Sequence, residues 1–224
     1  MRKIITTTFV TLDGVMQAPG RPEEDRSGGF AYGGWLFNYS DESDEVMGDT
    51  MTKIMGLPFE LLLGKRTYDI FAGYWPHTKS DPIVAIPFNS TRKYVVSHML
   101  AELSWQNSSL ITGDVVAKIK KLKEENGPDL WVYGSGNLIQ TLLKHNLIDR
   151  MLVWIFPVTF GSGKRLFAEG TQAAGFKLVD SKTSTTGVII ATYEPTGPLK
   201  TGSFALDTPT EAELVRRKQL AKRK

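Results

Sequence analysis

Two cationic residues and a hydroxyl group follow a short apolar run in the first third of the chain. Residues 61–63 are all leucine, and Gly64 separates them from Lys65, Arg66 and Thr67. The leucines indicate a buried strand, and the residues after Gly64 indicate the start of a helix. Free N–H groups at a helix N-terminus favour an anion, and Lys65 and Arg66 add full positive charges. The pattern predicts a phosphate site, with a solvated basic helix start as the alternative.

A turn of small residues forms a second junction of this kind. The apolar residues 130–133 indicate a strand, Gly134-Ser135-Gly136 a tight turn, and residues 137–144 a helix. The two glycines allow the backbone to approach a ligand closely, and the helix N-terminus behind them suits a pyrophosphate. Ile139 stands where the full dinucleotide signature has its third glycine, so a chance G-x-G pair is the alternative.

Several other kinds of chemistry have no signature in the sequence. The chain has no cysteine, which excludes disulfides, thiolate metal sites and cysteine nucleophiles. It contains neither the G-x-x-x-x-G-K-S/T loop of P-loop nucleotide hydrolases nor the G-x-S-x-G turn of serine hydrolases. The three histidines, His77, His98 and His145, are scattered without carboxylates at ligand spacing, so we expect no metal site.

The net charge of +3 arises from the C-terminal segment. From residue 199 onward there are seven basic and three acidic residues, whereas residues 1–198 carry a net charge of about −1. The body of the chain therefore lacks the basic excess that follows a nucleic-acid backbone. The sequence has no run of about 18 apolar residues and no signal-peptide pattern. We expect a cytoplasmic protein that binds neither nucleic acid nor membranes, with a solvated C-terminal tail.

The elements that position these residues alternate between strands and helices. Apolar and β-branched runs predict strands at residues 3–10, 59–63, 94–96, 130–133 and 150–156, and a closing hairpin at 175–181 and 185–193. Helices are predicted to start near Glu42, Lys65, Asp114 and Asn137. This alternation builds an α/β fold with a mixed, mostly parallel sheet and helices on both faces. We predict one domain over residues 1–195, followed by a basic tail at 196–224.

Several segments together resemble one family. Residues 62–68, 93–98 and 133–138 are similar to the cofactor-binding segments of dihydrofolate reductases. Residues 9–15, 147–150 and 157–167 resemble one branch of that superfamily, the reductase domain of riboflavin biosynthesis and its stand-alone relatives. The resemblance covers roughly residues 3–194 and implies the three-layer dihydrofolate reductase-like fold.

The resemblance implies NADPH as the hydride donor. Lys65 and Ser97 would bind its 2′-phosphate, with Arg66 and His98 beside them. Thr67 and the glycine turn would hold the pyrophosphate, and the nicotinamide would lie near Val10 and Gly161. The full set of implied cofactor-binding residues is Val10, Lys65, Arg66, Thr67, Ser97, His98, Tyr133, Gly134, Ser135, Gly136, Asn137, Leu138 and Gly161.

The catalytic acid is predicted on the first helix or at the end of the first strand. Dihydrofolate reductases use one acidic side chain on the first helix, and the resemblance places Asp49 there, with Asp44 and Glu45 as alternatives. Asp13 ends the first strand, where relatives have a substrate-facing loop. The alternative roles are a solvated helix face for Asp49 and turn formation for Asp13.

The function expected from these residues is reduction of a small heterocyclic or carbonyl substrate, such as a pterin or a riboflavin-pathway pyrimidine, by NADPH. Trp35 and Trp75 are predicted to stack on a flat substrate ring, with core or lid packing as the alternative. A non-catalytic NADP(H)-binding module is the competing reading. A homodimer is expected, with Trp154, Ile155 and Phe156 as candidate contacts unless their strand is simply buried.

Overall fold

A sheet of eight strands carries the fold. The computed structural model describes residues 1–40, 45–100 and 102–222. Within these ranges the strands are β1 Ile4–Thr11, β2 Phe59–Gly64, β3 Lys93–Val96, β4 Ser108–Ile111, β5 Asp129–Tyr133, β6 Arg150–Phe156, β7 Ala174–Thr183 and β8 Ile189–Pro198. The α-helices are α1 Glu45–Met55, α2 Lys65–Ala72, α3 Pro82–Ser90, α4 Val115–Glu124, α5 Gly136–Lys144 and α6 Glu211–Ala221.

The sheet is mixed and mostly parallel, as predicted. Its strand order is β4-β3-β2-β5-β1-β6-β8-β7. The strands from β4 to β6 pair in parallel, whereas β8 pairs antiparallel with both β6 and β7. The chain leaves β1 for β2, moves outward to β4, and returns to place β5 and β6 on either side of β1. Such a change of direction leaves a crevice at the carboxyl ends of the central strands.

Hydrophobic cores cover both faces of this sheet. Leu61 and Leu63 contribute to one core and Leu62 to the other, because successive side chains of a strand point to opposite faces. The first core includes residues of α1, α2 and α3, and the second is built on α4 and α5. The predicted arrangement of helices on both faces is therefore confirmed.

Three elements were missed in the sequence. The helix α3 begins with Pro82 and contains Pro87, and such a composition hides a helix from pattern analysis. The strand β4 has only four residues at the sheet edge. The helix α6 lies in the predicted tail and buries no residue.

The closing hairpin is longer than predicted. The strand β8 continues through Pro195 to Pro198, past the boundary predicted at residue 195. Proline is tolerated there because β6 pairs with β8 only as far as Tyr193, so the later residues have a neighbour on one side only.

Burial also corrects the predicted dimer contacts. Trp154 and Phe156 are 1% and 0% exposed, and their rings pack against Phe9 inside the protomer. Trp154 and Phe156 are therefore core residues of a buried strand, which was the alternative to a dimer contact. Ile155 is half-buried. Among the described helices, none is long and apolar enough to cross a bilayer.

Candidate functional site

A cleft of about 1180 Å³ opens at the carboxyl ends of the central strands. The end of β2 at Gly64, the end of β3 at Val96 and the end of β5 at Tyr133 form its floor. The loop at residues 16–25 forms one wall. This is the crevice expected where the strand order changes direction in an α/β sheet.

The two predicted anion-binding junctions lie side by side in this cleft. The Gly64 N–H donates to Ser135 Oγ at 3.0 Å, and the Ser135 N–H donates to Thr67 Oγ1 at 3.1 Å. Neither α2 nor α5 has a side-chain hydrogen bond at its N-cap. The first N–H groups of two neighbouring helices are thus left for a ligand, and their dipoles favour a negative one.

The geometry of the glycine turn explains its small residues. Gly134 has a φ of +53°, a left-handed conformation that favours glycine, whereas a Cβ there would make only an ordinary contact with Thr67 Oγ1 at 3.6 Å. Ser135 also adopts a left-handed φ of +53°, and its hydroxyl donates to the Tyr133 carbonyl oxygen at 3.0 Å. The turn is therefore pinned by its own strand and by α2, which fixes the start of α5 against the cleft.

Four cations line the same end of the cleft, namely Lys65, Arg66, Lys164 and Arg165. Lys65 Nζ contacts both carboxylate oxygens of Asp69, at 2.6 and 2.8 Å. Ser97, which is 9% exposed, and His98, which is exposed, follow β3 and face the same space. The structure therefore brings the residues predicted for the 2′-phosphate into one cleft.

Asp25 holds two of these cations. Its carboxylate lies 2.5 Å from Lys164 Nζ and 3.5 Å from Arg66 Nη1, and Ser27 Oγ donates to it at 2.5 Å. Burial alone would raise the pKa of Asp25, but hydrogen bonds from Lys164 and Ser27 lower it to about 2. Asp25 is therefore an anion at every physiological pH, and it fixes Arg66 and Lys164 at the rim.

Gln17 ties the wall of the cleft together. Its side chain is buried and accepts the Lys164 N–H at 3.0 Å. Its amide nitrogen donates to the carbonyl oxygens of Asp25 and Ser27, at 3.0 and 2.9 Å. One side chain thus joins the loop at residues 16–27 to the segment that carries Lys164.

The other end of the cleft is apolar. Its walls are formed by the aromatic and aliphatic side chains Phe9, Met51, Met55, Ile70, Phe71, Trp75, Val84 and Phe88. Trp75 packs edge-on against Phe71 and Phe88 and is half-buried. Such a surface suits a flat ring.

The loop that follows β1 contributes two charged side chains, Arg21 and Glu24, to the lining of the cleft, and the sequence prediction missed both. The Arg21 guanidinium lies 4.2 Å from the centre of the Tyr74 ring. Glu24 lines the cleft beside it and accepts the N–H groups of Gly20 and Arg21 through Oε2, at 2.7 and 3.0 Å. Both residues come from the long, glycine-rich loop that follows β1. Long loops in compact domains are often functional, so the length of this loop is the sequence feature that could have indicated these two residues.

Most of the predicted cofactor residues line the cleft, but two do not. Val10 is buried in the core that is built on α4 and α5, and its neighbours Thr7, Thr8 and Phe9 line the cleft instead. Gly161 also lies outside the cleft lining, which includes Gly163 instead.

The two predicted catalytic acids lie outside the cleft lining. Asp49 is exposed on α1, and the residues of that helix that face the cleft are Met51 and Met55. The Asp13 carboxylate accepts the Thr11 hydroxyl and the Gly161 N–H, the latter at 2.8 Å. Those hydrogen bonds, the Thr11 hydroxyl first, hold the pKa of Asp13 below its usual range. The alternative acid Glu45 is exposed, and Asp44 lies outside the described residues.

The two predicted substrate tryptophans differ in position. Trp75 lines the apolar end of the cleft, whereas Trp35 is 6% exposed and lies outside the lining. The Trp35 indole N–H donates to the Gln17 carbonyl oxygen at 2.8 Å, and its ring packs edge-on against Phe156. Trp35 therefore supports the loop of the cleft from behind.

The residues present fit a phosphorylated dinucleotide. Two helix N-termini without side-chain caps face a turn of small residues, which lets backbone N–H groups approach a pyrophosphate. Cations and Ser97 extend this surface toward a further phosphate, and the apolar end suits a planar ring. In the described part of the chain, no three His, Asp or Glu side chains gather around a possible metal position.

Comparison with known proteins places the chain among reductase-related sequences. The RibD C-terminal domain family matches residues 2–190. An uncharacterised protein of Bacillus subtilis (strain 168), YyaP, is 28% identical over 200 residues, which span 88% of this chain and 96% of YyaP. A second uncharacterised protein of that organism, YwjB, is 26% identical over 181 residues, or 81% of this chain and 91% of YwjB.

Solved structures share the fold. A riboflavin biosynthesis protein from Shewanella sp. PV-4 superposes with a TM-score of 0.65 and 22% identity, covering 87% of this chain and 99% of the other. A pyrimidine reductase-like protein from Corynebacterium diphtheriae gives 0.59 and 11%, with coverages of 89% and 93%. Dihydrofolate reductase from Enterococcus faecalis, solved with NADP(H), gives 0.55 and 11%, with coverages of 87% and 96%. The likeness confirms the predicted dihydrofolate reductase-like fold.

Proposed function

The chain belongs to the RibD C-terminal domain family, and from that premise we propose that it is an NADPH-dependent reductase. The proposed reaction transfers a hydride to a C=N or C=O group of a small heterocyclic or carbonyl substrate. One observation carries the proposal: the N-termini of α2 and α5 meet in a single cleft with four cations at one end and an apolar surface at the other.

The cationic end is suited to hold the cofactor. Lys65 and Ser97 would bind the 2′-phosphate, with Arg66 and His98 next to them. Thr67 and the turn at residues 134–136 would hold the pyrophosphate through backbone N–H groups. When bound, the cofactor would supply the hydride, and the protein would supply orientation and a dry pocket.

The apolar end is suited to hold a flat ring. Phe71, Trp75 and Phe88 form a continuous aromatic surface there, and Met51 and Met55 line the same cleft as adaptable fillers. The substrate classes that fit are those named for the structural relatives, a pyrimidine of riboflavin biosynthesis and a pterin such as dihydrofolate.

A non-catalytic NADP(H)-binding module is the second candidate. It is favoured by the positions of Asp49 and Asp13, because neither predicted acid lines the cleft. The two candidates predict the same cofactor affinity and differ only in turnover.

The experiment measures NADPH binding and NADPH oxidation separately. Calorimetry with the wild-type protein and Gly136→Val tests the site, since a bulky side chain at Gly136 would obstruct the start of α5. A Cβ at Gly136 meets only the flexible Met16 side chain, 3.2 Å away at Sδ, so the variant is expected to fold. We expect Gly136→Val to abolish measurable NADPH binding while its circular dichroism is retained. Gly48→Val, on the open surface of α1, is the control and should bind normally.

Turnover is then followed by NADPH absorbance with dihydrofolate, 5-amino-6-(5-phosphoribosylamino)uracil and a set of carbonyl compounds. Oxidation of NADPH with any of them supports the reductase. Binding without oxidation supports the module, and unchanged NADPH affinity in Gly136→Val contradicts both.

A further inference from the structure

We propose that Glu24 is the substrate-facing acid of the cleft, which binds the polar edge of the substrate and supplies the proton that accompanies the hydride. The proposal rests on the proposed reductase function. It names a proton donor within the cleft, where neither Asp49 nor Asp13 lies. It assigns the proton to the loop after β1 and not to the first helix.

The placement of the Glu24 carboxyl group is the first argument. Its Oε2 accepts two N–H groups of its own loop, from Gly20 and Arg21, and this fixes the side chain in one orientation. Among the described residues, Oε1 has no hydrogen-bond partner and no cation lies within 4 Å of the carboxylate. A half-buried carboxyl group with one anchored and one free oxygen, lining a cleft, is arranged to contact a ligand.

The other acids of the lining are the second argument. Asp25 is neutralised by Lys164 and Arg66. Asp81 caps α3 by accepting the Val84 N–H at 3.2 Å. Glu169 is exposed to solvent at the cationic end. Of the carboxyl groups that the described residues place on the cleft, Glu24 alone is half-buried with neither an ion pair nor a helix-capping role.

The electrostatics of the loop agree with a proton donor. Burial raises the pKa of the Glu24 carboxyl, against the opposing effects of the Gly20 N–H and the Arg21 guanidinium. A raised pKa keeps a larger fraction of the acid protonated near neutral pH, which general acid catalysis requires. Arg21, held against Tyr74, is close enough to stabilise the carboxylate that remains after proton transfer.

The reaction balances with these groups. The carbon of the substrate C=N or C=O bond gains the hydride, whose donor NADPH is oxidised to NADP⁺. The nitrogen or oxygen gains the proton from Glu24, and the bond becomes single. The Glu24 carboxylate then takes a proton from solvent.

The test uses Glu24→Gln with Glu23→Gln as the matched control. The glutamine retains a carbonyl acceptor for the Gly20 and Arg21 N–H groups, so the loop is expected to keep its conformation. Glu23 is exposed in the same loop and pairs with Arg26. For the substrate that the wild type reduces, we expect Glu24→Gln to lower kcat by more than about 100-fold with NADPH affinity unchanged. The fall of kcat as pH rises through the pKa of Glu24 should also disappear in this variant.

A second readout does not depend on turnover. In cofactor-free protein labelled with ¹³C at the glutamate side chains, the resonance missing from Glu24→Gln reports the titration of Glu24. We expect its midpoint above the ordinary 4.5. We also expect saturating dihydrofolate or the phosphoribosylaminouracil to move that midpoint by about half a pH unit or more.

The outcomes separate the two proposals. Normal kcat and an unchanged pH profile in Glu24→Gln overturn the role of Glu24 while leaving the reductase intact. A Glu24 midpoint at or below 4.5, or one that no compound moves, overturns it even where no turnover is found. Failure of Gly136→Val to affect NADPH affinity, with a Glu24 midpoint that responds to a compound, refutes the cofactor site and retains Glu24 as a ligand contact.

Discussion

At the scale of single residues, the cations of the cleft are held by carboxylates of the protein itself. Asp69 pairs with Lys65, and Asp25 pairs with Arg66 and Lys164. The Lys65 pair is partly exposed, with 31% and 55% of the two side chains accessible, so it contributes little to stability. The pair holds the Lys65 ammonium group at the start of α2. Because the pair is weak, a phosphate that binds there would separate Lys65 from Asp69 at a small energetic cost.

Lys65→Ala is therefore expected to weaken NADPH binding selectively. A charge-assisted contact to a phosphate contributes about 1.5–3 kcal/mol, so the Kd for NADPH should rise roughly tenfold to a hundredfold. NADH lacks the 2′-phosphate, and its Kd should change much less. Calorimetric titration with both cofactors measures the difference, and Lys120→Ala, an exposed residue of α4 away from the cleft, is the control. Equal losses for the two cofactors would contradict the assignment of Lys65 to the phosphate.

The residues of the two junctions were predictable because their signal is local. Lys65, Thr67 and Gly136 each lie within three residues of the end of a strand, and a strand–turn–helix sequence fixes where their groups point. The catalytic acid was not predictable in this way. Asp49 lies on the exposed side of α1, and Glu24 enters the cleft through a loop whose path depends on Gln17 and Trp35. No periodic pattern encodes such contacts.

At the scale of elements, the strand β3 is anchored by a buried lysine. Lys93 is 0% exposed, and its Nζ donates to the carbonyl oxygens of Asn89, Thr91 and Gln106. Nζ also lies 4.3 Å from the centre of the Trp105 ring. The side chain thus joins the end of α3 to the segment before β4, and it sets the position of the strand that ends at Ser97.

The buried ammonium group makes stability depend on alkaline pH. Burial lowers the pKa of Lys93 from 10.5 to about 8. Between these values the unfolded chain binds more protons than the folded one, so the free energy of unfolding should rise with pH from 8 to about 10. The expected gain is about 1–3 kcal/mol, measured by urea unfolding at several pH values.

Lys93→Met isolates this effect from the other groups that titrate in the same range. The variant should be less stable at every pH, because three carbonyl groups lose their donor, and its stability should depend less on pH. Parallel pH dependences for the wild type and the variant would show that Lys93 is not the group responsible.

The sequence predicted the central elements and missed the peripheral ones for one physical reason. β2, β5 and β6 are buried on both faces and are therefore apolar along their length. β4 is a short edge strand, and α3 carries two prolines in nine residues, so neither shows the pattern of a typical element. Their positions depend on tertiary contacts, such as those of Lys93.

At the scale of the whole molecule, the sheet ends in a long open edge. The strand β7 has ten residues, pairs with β8 on one side and is the last strand of the sheet. Its residues Leu178 and Val179 are 49% and 41% exposed. An unpaired edge with apolar side chains is a template for pairing with another chain, and natural proteins usually cover it.

We propose that a second copy of this chain covers β7, which gives a homodimer with two-fold symmetry. Light scattering should then report a mass about twice the 24.9 kDa of one chain. Val179→Asp places a charge on the edge and is expected to shift the mass toward the monomer at micromolar concentrations, because a desolvated, unpaired carboxylate in the contact is costly. Leu12→Asp, at a more exposed leucine away from this edge, should leave the dimer intact. A wild-type mass near that of one chain across micromolar concentrations would refute the dimer. A dimer unaffected by Val179→Asp would place the contact on another surface.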